Sequence, residues 1–315
     1  MTQKKFDKFN ALVPGDYPLL KPFFKHHHDH CAYVLPTILV WSSHLFQPWG
    51  GIINDDLVIG LEYEARFSDK RHLIMPLSKN GQVKDHRYNS PEKLYEIAET
   101  LGFHQYWFAT EDWLKHQDEK ALSACFDIQE QPGLDDYVYR QEDLAGLKGS
   151  RYAKKRNLIK QFEKAYVIPD RVHTAAITRS DVQECLEFIE KWCLERDCDA
   201  NPDEDLACEK QAVINMLDQI DHLEVGSLLL RVDNAVCAIA IGTRLNETMG
   251  VMPFEKAFSD FKGLYQYFDR ECARQLFKDF IYINKESDMD MPGLAKAKRS
   301  YYPEKMVKAF QLTLR

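Results

Sequence analysis

Three apolar runs, GSLLLRV, AVCAIAIGTRL and TMGVMPFE, follow one another between residues 226 and 255 with only turn residues between them. Asp233-Asn234 separates the first two, and Asn246 stands just ahead of the third. Asp and Asn tolerate the left-handed backbone that a tight hairpin needs, so the segment reads as an antiparallel meander. A meander this apolar must be covered, and the flanking periodicity says by what.

Upstream, Arg171 to Thr178 reads as a strand. Ser180-Asp181 then caps a helix through Glu195 whose Val182, Leu186, Ile189 and Trp192 share one face. A second helix runs from about Asp205 to Leu223. Downstream come a helix over Leu264 to Lys278, the strand FIYIN, a helix over Leu294 to Arg299 and a last strand, VKAFQLTL. The order β–α–α–β–β–β–α–β–α–β is that of the acetyltransferase (GNAT) fold. In the first half, an amphipathic stretch from Tyr17 to His30 and the aromatic YVLPTILVWSSHLFQPW precede the strand-like DDLVIGLEYEA and RHLIMPLS. A helix from Ser90-Pro91 to the stop at Gly102 and the strand HQYWFAT follow. This half is a mixed α/β, or α+β, arrangement. Pro132 and Gly133 in QEQPGLDDY mark a turn between the halves, which predicts a first unit over 1–135 and a second over 136–315.

The net charge of -8 excludes a chain coated overall for nucleic acid and leaves room for a local basic patch. The opening MTQKKFDKFN has no apolar core of a signal peptide, and apolar stretches such as Ala235 to Gly242 are too short to cross a bilayer. Eight scattered cysteines without a CxxC pair fit reduced thiols in a bacterial-type cytoplasm. Together these predict a cytoplasmic protein with no transmembrane segment.

Four motifs carry chemistry. The stretch Lys148 to Lys164 is basic, with Lys148, Arg151, Lys154, Lys155, Arg156, Lys160 and Lys164 against Glu163 alone. It reads as a helix that holds phosphates of a cofactor, a tRNA or a lipid head group, or as a solvated face. The segment Asn284 to Leu294 sets Glu286, Asp288 and Asp290 after a buried strand, where a carboxylate can take a proton from an acceptor or cap the helix that Pro292 opens. Tyr301 and Tyr302, next to Lys298 and ahead of Pro303, are candidate proton donors, and amphipathic packing is the plainer role. His26 and His30 stand four apart, a spacing able to chelate a metal, but no second cluster completes a site and no metal is expected. FSDFKGLYQYF offers Lys262 and Gly263 at a helix start, where backbone N–H groups can hold a pyrophosphate, although a glycine-rich cofactor loop is missing.

LKGSRYAKKRNLIKQF and INKESDMDMPGLAKAKRSYYP resemble the paired signatures of the DUF2156 family, which is similar to the C-terminal catalytic domain of phosphatidylglycerol lysyltransferases. DYPLLKPFF and YVLPTILVW resemble the opening of its short members, so the likeness spans nearly the whole chain. The resemblance implies two tandem GNAT-like domains related to aminoacyl-tRNA-dependent transferases. Arg151, Lys155, Arg156 and Asn157 match its basic-helix pattern; Asn284, Glu286, Asp288, Leu294, Lys298 and Pro303 match its C-terminal one. On these grounds an acyl- or aminoacyltransferase is expected, drawing on acyl-CoA or aminoacyl-tRNA and acting on an amine or hydroxyl. Glu286 and Asp288 would orient or deprotonate the acceptor and Tyr301 or Tyr302 would donate a proton. Arg151, Lys155, Arg156, Lys262, Gly263, Asn284 and Lys298 would hold the donor. Peripheral contact with an anionic lipid is compatible with this reading. The rival is a non-catalytic binding or regulatory protein on the same fold.

Overall fold

A computed structural model describes residues 8–24, 28–43, 46–79, 89–195 and 204–315. The strands of the first half are β1 (Asn10–Ala11), β2 (Phe46–Ile53), β3 (Asp56–Tyr63), β4 (His72–Leu73), β5 (Leu77–Ser78), β6 (Gln105–Thr110) and β7 (Phe126–Glu130). Those of the second are β8 (Asp136–Arg140), β9 (Val172–Ala175), β10 (Gly226–Val232), β11 (Ala235–Arg244), β12 (Met249–Ala257), β13 (Tyr282–Asn284), β14 (Lys305–Val307) and β15 (Ala309–Leu314). The meander forms as the turn residues dictate: β10, β11 and β12 pair antiparallel in sequence order, with Asp233 and Asn234 both at positive φ. The helix Pro91–Leu101 also forms between its signals, Ser90 accepting from the Lys93 N–H and Gly102 ending it at φ 69.

The two sheets have one plan. The first runs β1-β2-β3-β4-β6-β15-β7 with β5 on β3, and the second β9-β10-β11-β12-β13-β8-β14. In each, the fourth and fifth strands, β4 with β6 and β12 with β13, are the parallel pair, and the other neighbours are antiparallel. This is the tandem GNAT-like arrangement that the family resemblance implies. It carries a one-way exchange: β8, the first strand of the second half, lies between β13 and β14, whereas β15 leaves the second half to lie between β6 and β7.

That exchange corrects the reading of VKAFQLTL as one strand closing the second unit. Only Lys305–Val307 pairs with β8, and Ala309–Leu314 belongs to the first sheet. A linear division at 135/136 therefore puts one strand on the wrong side. The basic helix is also shorter than expected, running over Ala153–Phe162 between a 3-10 turn at Ser150–Tyr152 and a π turn at Glu163–Val167.

The halves share a core. One buried cluster continues from Leu57, Ile59 and Tyr106 through Phe188 and Met216 to Ile239 and Phe254. Alternate residues of β11, Ala238 and Ala240, face a second cluster with Tyr152, Phe162 and Phe268. Both faces of β11 are therefore dry, which explains its unbroken apolar run.

Gly263, at φ 89, begins the helix Leu264–Gln275, and a Cβ there would overlap the Leu158 carbonyl oxygen of the basic helix. Both backbone conformation and close approach demand glycine. Gly263→Ala is expected to cost roughly 2 to 4 kcal/mol, read as an earlier urea midpoint with an unchanged slope. A midpoint within error of the parent would show that the two helices separate freely.

Candidate functional site

The segment after β13 is folded back on itself by its own side chains. Asn284 is fully buried, and its amide donates to Asp136 (2.7 Å) and to the Asp29 carbonyl (3.1 Å) while its oxygen accepts from the Glu286 N–H (2.7 Å). Asp136, also fully buried at the start of β8, accepts from the Cys31 N–H (2.7 Å) and the Cys31 thiol (3.1 Å). The loop Asp29–Cys31 of the first half is thereby bonded to the strand end that carries Glu286. Past Asn284 the backbone takes positive φ at Glu286 (58), Met289 (51) and Asp290 (56), and Pro292 then starts the helix Pro292–Arg299. Lys298, on the last turn of that helix, reaches back and donates to the carbonyls of Lys285 (2.5 Å), Glu286 (3.1 Å) and Ser287 (2.5 Å).

The Glu286 carboxyl is surrounded by mixed charge. Burial pushes its carboxyl up to about 8; Lys298 and Lys256 pull it down, while Asp136 and Glu209 add to the rise. Burial lowers Lys298 from the ordinary lysine value, opposed by the Glu286 charge. Burial, then Asp136 and Glu286, also hold the Cys31 thiol well above its usual range, so it is no ready nucleophile.

The residue before Glu286 enters the wedge where β12 and β13 part. They pair only from Met249 with Tyr282 to Val251 with Asn284, and β12 runs on to Ala257 held by β11 alone. Lys285 fills the gap, bonded to Glu255 (2.9 Å) and Asp269 (2.6 Å). Burial opposes its charge, but the two carboxylates outweigh that and hold its pKa above the usual. Burial pushes Glu255 up to about 7 against the pull of Lys285, and one of its oxygens is buried with no hydrogen-bond partner. Tyr301 closes the wedge with the Lys155 ammonium 3.3 Å from its ring centroid. Burial, then Asp269 and Glu255, lift the Tyr301 phenol well above its usual value, and burial lowers Lys155 to about 8.

The other residues singled out by the sequence have local partners. Asp288 is buried, accepting from Tyr137 Oη (2.6 Å) and from the Asp290 N–H (3.0 Å). Tyr302 is 45% exposed and edge-on to Tyr152. Arg151 pairs with Asp143 (2.9 Å), and Arg156 donates to the carbonyls of Leu147 (2.5 Å) and Gly149 (2.6 Å). Lys262 is exposed, and Lys155 turns inward to Ser300 Oγ (2.8 Å). Lys148, Lys154, Lys160 and Lys164 present their charge to solvent.

His26 lies outside the described residues. His30 is buried, its Nδ1 accepting from the Ala32 N–H (3.1 Å) and its Nε2 against the Leu134 carbonyl (3.0 Å). His30, Cys31 and Asp136 bring donor atoms within 4.8 Å of one another, but the hydrogen bonds just given already engage all three. They form a junction between the halves of the chain. Asp136, Cys31, Glu209, Lys256 and the trio Glu255, Asp269 and Lys285 are the site residues that sequence reading missed. Lys285, the neighbour of Glu286, is the one whose position signalled it.

The model of the phosphatidylglycerol lysyltransferase C-terminal family matches residues 82–312. The chain belongs to this family. A conserved protein of unknown function from Bacteroides thetaiotaomicron is similar at 26% identity over 98% of this chain and 99% of its own, with a TM-score of 0.83. The C-terminal DUF2156 domain of a putative lysylphosphatidylglycerol synthetase from Agrobacterium fabrum shares the fold, with a TM-score of 0.62 at 11% identity over 95% of this chain and 92% of its own. Among curated proteins none matches the chain. No helix among the described residues of this family member is long and apolar enough to cross a membrane.

A pH dependence follows from the two raised carboxyls. Glu286, at about 8, and Glu255, at about 7, hold protons in the folded state that the unfolded chain releases near its ordinary 4.5. The folded form thus binds more protons between about pH 4.5 and 8, and stability falls as pH rises through that window. Thermal melts at pH 5.5 and 8.5 should differ by several degrees, the lower pH being the more stable. Equal melting temperatures would mean both carboxyls titrate normally.

Proposed function

We propose that this chain is an acyl- or aminoacyltransferase in which Glu286 is the general base. The supporting observation is the placement of that carboxyl: carried on a turn bonded to Asn284 and Lys298, it is lifted to about 8 by burial, which the Lys298 and Lys256 charges oppose. A base whose proton affinity lies near neutral pH suits proton transfer from a weakly acidic nucleophile. In the proposed step the acceptor's hydroxyl or amine gives its proton to the Glu286 carboxylate as its lone pair attacks the donor's carbonyl carbon. A tetrahedral centre forms and collapses, its bond to the donor's ester oxygen or thioester sulfur breaking as that atom takes the proton back from the Glu286 carboxyl. Asn284 and Lys298 hold the turn on which the base is carried.

The wedge between β12 and β13 is filled by Lys285 and closed by Tyr301 and Lys155. We therefore place the reactive end of the donor on the Glu286 side and favour aminoacyl-tRNA over acyl-CoA. The exposed Lys148, Lys154, Lys160 and Lys164 would meet its phosphates. The filled wedge also suits the rival reading, a binding protein that kept the fold without transfer.

One assay separates them. The protein is given either a mixed, labelled aminoacyl-tRNA pool or labelled acetyl-CoA, with phosphatidylglycerol vesicles or soluble amines as acceptor. Label moving from tRNA to an acceptor is expected. Label released only as free amino acid, at the rate seen without protein, would sink the transferase reading and favour the rival.

A further inference from the structure

We infer that Lys298 is a positioning residue for Glu286, fixing the turn that carries the base and neutralising charge beside it, and does not hold donor phosphate. The inference rests on the reading of Glu286 as the base, and its test is independent of transfer. The geometry is specific. An ammonium has three N–H donors and no acceptor. Lys298 donates to three consecutive carbonyls, those of Lys285, Glu286 and Ser287, at 2.5, 3.1 and 2.5 Å. Each donor is matched to a carbonyl, so a phosphate oxygen could bind only by displacing one of these bonds.

Those three carbonyls converge because Glu286 has a φ of 58, a left-handed conformation rare for a residue with a side chain. Three dipoles pointed at one spot repel one another unless a cation sits there. Lys298 is that cation. It is itself held from both sides, since Tyr139 Oη donates to its carbonyl (2.8 Å) and its Nζ lies 5.8 Å from the Tyr137 ring centroid. The Glu286 carbonyl accepts from the Tyr137 N–H (3.1 Å) as well, which ties the same turn to β8.

The charged and titratable groups facing Glu286 come from five places. They are Lys298 on the helix Pro292–Arg299, Asp136 on β8, Glu209 on the helix Glu204–Asp218, Lys256 on β12 and the Cys31 thiol on the loop from the first half. Among the cations Lys298 has the stronger pull on the Glu286 proton, with Lys256 the weaker.

The test is a carboxyl-carbon NMR titration of Glu286 in the whole chain, needing neither donor nor acceptor. Lys298→Met should raise the Glu286 midpoint by about one pH unit, the size of a lost neighbouring cation. Lys296→Met, on an exposed position of the same helix, should leave it in place. In the parent protein the Lys298 side-chain signal should inflect at the Glu286 midpoint, and Glu286→Gln should erase that inflection. A Lys298 signal that passes through the midpoint unmoved overturns the inference. So does a Lys298→Met protein that melts cooperatively yet keeps the parent midpoint. If that variant does not fold, the coupling in the parent decides alone. Where transfer is measurable, Lys298→Met should lower kcat with little change in KM for the donor; a rise in KM at constant kcat would return Lys298 to phosphate binding. Absent transfer together with intact coupling would sink the proposed reaction and leave the electrostatic role standing.

Discussion

Glu286→Gln is expected to lower transfer about a thousandfold, the middle of the range for loss of a positioned general base. The substitution keeps the side chain's size and removes its ability to take a proton. Backbone bonds carry the turn, Glu286 N–H to Asn284 and Glu286 carbonyl to Lys298 and Tyr137, so the fold should be untouched. Stability supplies a second readout. At pH 9 the parent protein must bury an ionised carboxylate that burial disfavours, whereas Gln carries no charge. The variant should therefore be more stable there by roughly 1 to 3 kcal/mol, with the gain fading toward pH 5. A variant that retains transfer removes Glu286 from the chemistry, whatever its stability.

Lys285→Met should produce the largest loss of stability. Lys285 is the cation between Glu255 and Asp269, whose side chains are 13% and 5% exposed. Methionine fills similar volume but leaves two carboxylates confined together, a loss of about 3 to 5 kcal/mol at pH 8. Glu255, already raised, can escape by taking a proton, so its pKa moves further upward once Lys285 is gone. A raised folded-state pKa means stability is present at low pH and disappears as pH rises. Urea unfolding at pH 5 and pH 8 measures this directly, with most of the loss expected only at pH 8. An equal loss at both would point to packing in place of charge.

The elements set by local chemistry were legible in the chain. The meander follows from its turn residues, and the helix Pro91–Leu101 from Ser90 and Gly102. What local pattern could not show is which distant segment each strand adopts. DYVYR follows directly on a turn, yet it is β8, and the closing run divides at Lys308 between two sheets. Periodicity reports which face is dry, and both sheets offer the same dry faces. The site divides in the same way. Segment Asn284 to Pro303 stood out through its carboxylates and lysines, whereas the groups that tune Glu286, among them Lys256, Glu209 and Asp136, come from positions far along the chain. Asp288 and Glu286 look alike in sequence. Tyr137 engages the first, and burial raises the proton affinity of the second.

The exchanged strand also governs when this protein can acquire its structure. Tyr106 pairs with Leu312, so the first sheet keeps a gap between β6 and β7 until Ala309–Leu314 has been synthesised. During synthesis that gap exposes two unpaired strand edges, a template for association with other nascent chains. Residues 1–135 cannot complete their sheet until β15 is made, and the shared core couples the halves, so they should appear and disappear together in folding. Cutting the chain at 135/136 should leave the first fragment without an interior strand and the second with β15 unpaired, both poorly soluble apart and regaining structure when mixed.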